Sequence, residues 1–269
     1  MNSIITVFVI FVTVVLFSAS LVSAAELSNE EIENIVRRSY QYVAMFNVNN
    51  KMAMDNAALT DSTGWNVCVA DTQLKDHTMK SIARPNNDTL YAICLLDLRT
   101  EPVIIDFPAF DTTYAVLETS AYDHYCDIPL STTKGDFKEP TNMLFYTART
   151  QGYSGEVVEG VDTIMEMSGD FAIAFLRVMP HAAEPERLQR NLAAMQGVTP
   201  LTLSEYLGQS PKLIDAVDFP AVGSDFEVFE HNFLEVMQFV FNHTTFDDGD
   251  EMDQAVLAAL KPLGVEPGK

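Results

Sequence analysis

Two stretches of this 269-residue chain hold side chains able to do chemistry. The first is Arg84-Pro85-Asn86-Asn87-Asp88-Thr89-Leu90-Tyr91, a polar knot that runs straight into apolar strand material. A guanidinium beside amides and a carboxylate can hold a small polar or anionic ligand, the arginine through two parallel hydrogen bonds. The same residue types also build a plain turn, in which Asn and Asp bond the local backbone and the arginine pairs with an acid. Both readings stand. With Arg177 at the end of a later apolar run, the first gives a ligand-binding set of Arg84, Asn86, Asn87, Asp88, Tyr91 and Arg177. Arg149, also at the end of an apolar run, is placed to converge there.

The second stretch is Tyr122-Asp123-His124-Tyr125-Cys126-Asp127. On a strand, His124 and Cys126 would share one side and the two aspartates the other. A metal taking His124, Cys126 and a carboxylate from elsewhere is one reading. A Cys–His nucleophile pair is another, and a polar loop with a buried cysteine is the plainest. No H-E-x-x-H, G-x-S-x-G, Walker loop or G-x-G-x-x-G accompanies them. A hydrolase or lyase built from these stretches would use Asp88 or His124 as its general base.

Composition narrows the partners. Asp and Glu total 38 against 16 Lys and Arg, a net charge of −22. A chain this acidic repels nucleic acid and anionic lipid. At 48% hydrophobic it can fill a sizeable core. Residues 4–22 are almost wholly apolar and are followed by Ser23-Ala24-Ala25, the pattern of a secretory signal. The run is also nearly long enough to remain as an anchor. The expectation is an exported protein, secreted or periplasmic, that touches a membrane only if this segment is retained. Three cysteines in an exported chain allow one disulfide and one thiol. Cys94 sits in apolar strand material and reads as a buried free thiol, which leaves Cys68 with Cys126 as the expected pair.

The elements that must position these residues follow from periodicity. Ser28-x-x-Glu31 is a capping box, and apolar residues recur at helical spacing to about Asn47. Residues 49–62 read as a second short helix or an irregular turn. Short runs rich in Val, Ile, Phe, Tyr and Leu at 89–96, 102–107, 114–120, 142–148 and 171–179 read as strands. No helical pattern lies between the early ones, which argues against parallel βαβ units. Helices are expected at 184–196, at 226–241 with a phenylalanine-rich face suited to core or partner docking, and after 247–250, with Met252, Val256, Leu257 and Leu260 inward. The fold class is thus α+β: a central antiparallel β sandwich-like domain with helices at the N- and C-terminal ends. The expected organisation is a signal or anchor over 1–25, an α+β domain over 26–200 and a C-terminal helical extension over 201–269.

The Arg84–Tyr91 block, with Leu96-Asp97-Leu98, Glu101-Pro102-Val103, Tyr114-Ala115-Val116-Leu117, Asp123 and Leu176-Arg177, resembles a family known only as domain of unknown function 1254. The resemblance implies export and a mixture of helices with sandwich-like sheets. It brings no established chemistry, so no catalytic residue or cofactor comes with it. The ending Gly264-Val265-Glu266-Pro267-Gly268 is similar to the segment that leads, in many such proteins, into a second domain numbered 1214. That implies either a chain complete in itself or a partner, another chain or a second copy, that supplies the missing half.

Overall fold

The apolar periodicity after Ser28 persists beyond Asn47, and helix α1 (Asn29–Met54) follows it for its full length. The computed structural model describes residues 27–54, 64–79 and 86–269. The expected leader or anchor at 1–25 and most of the expected second helix at 49–62 lie outside the described residues.

Among the described residues nine strands follow: β1 (Val67–Asp71), β2 (Leu90–Asp97), β3 (Val103–Phe107), β4 (Ala115–Ser120), β5 (Cys126–Ser131), β6 (Thr141–Thr147), β7 (Thr163–Met167), β8 (Phe171–Val178) and β9 (Thr199–Thr202). Helix α2 (Pro185–Gln196) precedes β9. Helices α3 (Leu203–Tyr206), α4 (Asp225–His231), α5 (Phe233–His243) and α6 (Glu251–Leu260) close the chain. One sheet has the order β1-β2-β8-β4-β5, the other β7-β6-β3-β9. The first is antiparallel throughout, but β7 runs parallel to β6, contrary to the purely antiparallel expectation.

Uninterrupted apolar sequence explains the middle of the larger sheet. All eight residues of β2 are buried, so both of its faces are covered. Leu90, Ala92, Cys94 and Leu96 share one apolar cluster with Ala172, Ala174 and Leu176 of β8 and with Val103, Ile105, Met143 and Phe145 of the smaller sheet. The opposite face, Tyr91, Ile93, Leu95 and Ile173, packs on Met52 and Ala53 at the end of α1. The remainder of α1 belongs with the C-terminal helices. Tyr42, Val43 and Phe46 cluster with Val228, Val236, Met237, Val240, Phe241, Val256 and Leu260. Tyr122, in the turn after β4, and Phe171 of β8 also belong to this cluster.

Three expectations are corrected. The helix expected over 226–241 is two helices: a Ser224–Glu227 capping box starts α4, and Asn232 at φ −139 interrupts the spiral before α5. Phe226 therefore points away from the core, 88% exposed. Met252, expected inward, is exposed as well. The disulfide joins Cys68 to Cys94, not to Cys126, which is free and exposed. The reason is register: β1 pairs with β2 so that Cys68 and Cys94 stand directly opposite each other, where adjacent side chains are in reach of a bond.

A thiol titration in denaturant without reductant should count one cysteine, and Cys126→Ser should reduce the count to zero. The bond closes a loop with a sequence separation of 26. Replacing both Cys68 and Cys94 by Ala should lower the free energy of unfolding by about 3–4 kcal/mol, read from urea curves.

Candidate functional site

The block at 84–91 divides into a turn and a strand. The Asp88 backbone N–H donates to Asn86 Oδ1 at 2.7 Å, and Asn86 Nδ2 donates to Thr89 Oγ1 at 3.2 Å. This is a self-bonding Asx turn. Asn87 and Asp88 are exposed on it, and Arg84 lies outside the described residues. Tyr91 is buried in β2, directly opposite Arg177 of β8. The Arg177 guanidinium lies 5.8 Å from the Tyr91 ring centre and 5.3 Å from that of Phe175, and its Nε is 3.2 Å from Glu118 Oε2. Of the expected ligand-binding set the structure thus brings Tyr91 and Arg177 together, with the charge of Arg177 facing an acid.

The hexapeptide at 122–127 is a turn that leads into β5, not a strand through its whole length. His124 is left-handed at φ 68 and packs edge-on against Tyr42, with ring centres 5.2 Å apart. Burial holds its imidazole below the ordinary value, so it is neutral near pH 7. The Cys126 thiol is pushed up by desolvation and then by the charges of Glu118 and Asp127, the reverse of an activated nucleophile. Among the described residues no three His, Cys, Asp or Glu side chains converge as a metal site.

Arg149 pairs elsewhere: with residues that sequence reasoning passed over it forms a partly buried ionic cluster where the sheets meet the helices. Arg149 Nε donates to Asp170 Oδ1 at 2.9 Å, and His243 Nδ1 lies 2.8 Å from Asp170 Oδ2. Arg99 grips Asp97 with two bonds, at 2.9 and 2.7 Å, and reaches Asp215 O at 2.8 Å. The one hint was that both arginines stand just past a strand end; Arg99 takes its acid from two residues back, whereas the acid of Arg149 lies 21 residues on, at the head of β8. Arg149 Nη1 also donates to Thr245 Oγ1 at 2.6 Å, and Thr245 opens onto a cavity.

That cavity, about 370 Å³, lies between the β4–β5 turn, the end of β7 and the start of α6. Six carboxylates line it: Asp123, Asp127, Glu166, Asp247, Asp250 and Asp253. Among the described residues no Lys or Arg lines it. Most of these carboxylates are occupied. Asp253 accepts from the Tyr42 hydroxyl at 2.7 Å and the Asp247 backbone N–H at 3.0 Å. Asp250 caps α6 through the N–H groups of Met252 and Asp253, and Asp247 accepts from Gly249. Glu166 accepts from the Tyr146 hydroxyl at 3.0 Å. Asp123 differs. It is 4% exposed, and no hydrogen bond reaches its Oδ1. Burial pushes its carboxyl up from an ordinary 3.8 to about 6; Ser168 and the Tyr125 amide favour the charged form but do not prevail. The Tyr125 hydroxyl, also buried without a bond of normal geometry, is pushed up to about 12 by desolvation and by nearby Asp250 and Asp253.

Two sheets with helices from both chain ends define an α+β protein. Residues 65–199 match the family described as protein of unknown function DUF1254, and the chain belongs to that family. It is similar in structure to the VPA0106 protein from Vibrio parahaemolyticus, with a TM-score of 0.67 and 23% identity. That likeness covers 89% of this chain and 52% of the other, so the chain spans about half the length of that protein. An uncharacterized protein from Burkholderia cenocepacia aligns at a TM-score of 0.31 and 13% identity, over 62% of this chain and 52% of its own. No curated protein matches the chain.

Two outcomes follow from the geometry. An acid raised to about 6 destabilises the fold once it ionises, by up to about 3 kcal/mol. The cost is absent below pH 3.8 and complete above pH 6 to 7. Asp123→Asn should therefore unfold at a higher temperature than the parent at pH 8, with the gap closing towards pH 4. Asp170→Ala, which leaves the half-buried Arg149 without its acid, should cost about 3 kcal/mol at pH 7 in urea.

Proposed function

We propose that this chain is an exported small-ligand binding module whose ligand sits in the acidic cavity, not at the 84–91 block. One observation carries the reading: Asp123, a carboxylate buried at a cost to stability, lines a cavity large enough for a small molecule. A titratable group perturbed by burial beside a cavity is a candidate for contact with a ligand.

The other sites have less behind them. Arg177 is already opposite Glu118, and Asn86, Asp88 and Thr89 bond within their own turn. A hydrolase or lyase working through Asp88 would place its base on an exposed turn. His124 is the better placed of the two, since its Nδ1 is buried without a bond. Export rests on the apolar run at 4–22. The two sheets read as a sandwich because one apolar cluster takes residues from both.

A thermal-shift screen of small polar molecules tests the cavity. A ligand at a hundred times its Kd should raise the midpoint by roughly 5–10 °C. The shift should disappear in Asp123→Asn and persist in Asp88→Asn. Ligands whose effect survives Asp123→Asn would move the site elsewhere.

A further inference from the structure

The first three turns of α1 stand clear of the body. Of residues 28–38 only Ile35 is buried, and all the others are exposed. A helix this short is marginal in water by itself, yet this one carries apolar side chains on an open side. Ile32, Val36 and Tyr40, each one turn apart, are 46%, 40% and 52% exposed. Further along the same stripe α4 supplies the cover. Phe229 stacks on Tyr40 with ring centres 5.7 Å apart, and Asn47 exchanges two hydrogen bonds with Gly223. Phe233 stacks in turn on Phe229 at 5.4 Å. The exposed stripe thus continues a helix-packing surface and is edged by aromatic rings, the residue type enriched where proteins meet.

The charges beside the stripe select its occupant. Between residues 28 and 40 stand the acids Glu30, Glu31 and Glu33 and the bases Arg37 and Arg38. This stretch is therefore nearly neutral in a chain of net charge −22, and two copies repel each other least here. Glu33 and Arg37 lie on one flank of the stripe, one turn apart. They pair with each other at 70% and 75% side-chain exposure, where an ion pair contributes little. Acid followed by base makes the flank self-complementary. When two such helices pack antiparallel about a two-fold axis near residue 35, the same flank of each meets the other in reverse order. Each Glu33 then faces Arg37 of the second copy. A parallel pair would not bring this flank against itself. We infer that two copies of this chain associate through α1, packed antiparallel across Ile32, Val36 and Tyr40, with Glu33 of each opposite Arg37 of the other. The contact is about 20 Å long at the rise of an α-helix. That is smaller than a permanent dimer uses, so the association is reversible. It is independent of the acidic cavity and of any ligand there.

Sedimentation velocity of the purified full chain, at concentrations from about 1 to about 100 μM, tests this. The sedimentation coefficient should climb with concentration from monomer towards dimer. Val36→Glu, which puts a charge in the middle of the contact, should raise the dissociation constant by at least about tenfold. Glu33→Arg and Arg37→Glu should each weaken the dimer, and the two combined should restore it, since the pair re-forms with its signs exchanged. All three positions are exposed, and circular dichroism checks that each variant folds. Val157→Glu, at a loop position 91% exposed, should change nothing. A monomer at every concentration overturns the proposal. So does a dimer indifferent to Val36→Glu, which would place the contact elsewhere, the apolar residues 4–22 included. A dimer that the combined Glu33 and Arg37 exchange fails to restore overturns the antiparallel pairing.

Discussion

The carboxylate of Asp170 is where the three layers of the molecule are joined. Its side chain accepts from Arg149 and Thr147 at the end of β6 and faces His243 at the end of α5. Its own backbone N–H donates to His243 O, and its carbonyl accepts from Leu98 just past β2. One residue at the head of β8 thereby fixes the smaller sheet, the larger sheet and the C-terminal helices against one another. It is 3% exposed, so its charge is tolerable only because cationic and hydroxyl partners surround it. The acidic cavity depends on this joint. Ser168 and Thr245, which line it, are linked by a backbone bond two residues from Asp170, and Arg149 holds Thr245 from behind.

Against that satisfied acid, Asp123 is a contrast in chemistry at similar depth. Both are buried aspartates at strand ends, yet one has a full set of partners and the other an idle oxygen. The difference lies in the local backbone. The left-handed His124 turns the chain sharply between β4 and β5 and leaves Asp123 under the loop, where Ser168 and the Tyr125 amide reach it but Asp253 adds a like charge.

How much of this could be read from the residues depends on burial. Strands β2, β3, β4, β6 and β8 were legible because long apolar runs mark strands covered on one or both faces. The edge strands β1 and β5 and the short β7 and β9 were not, since half-exposed sequences such as Val67–Asp71 resemble loops. Missing β1 also concealed the disulfide: Cys68 faces Cys94 only once the two strands are paired. The cavity was half visible. The charged hexapeptide drew notice, but for His124 and Cys126; that Asp123 meets Asp250 and Asp253 is a matter of how the last helix returns to the sheet, and no local pattern encodes it. The polar knot at 86–89 had two readings, and its self-bonding turn is the plainer of them.

The bond between Cys68 and Cys94 has a topological effect as well as an energetic one. It spans the exposed residues near 73–78 and the whole polar knot before β2. A protease that severed one peptide link inside that ring would leave both fragments attached, with the two sheets and the α6 side of the cavity undivided. That accessible segment could therefore be nicked without loss of the whole.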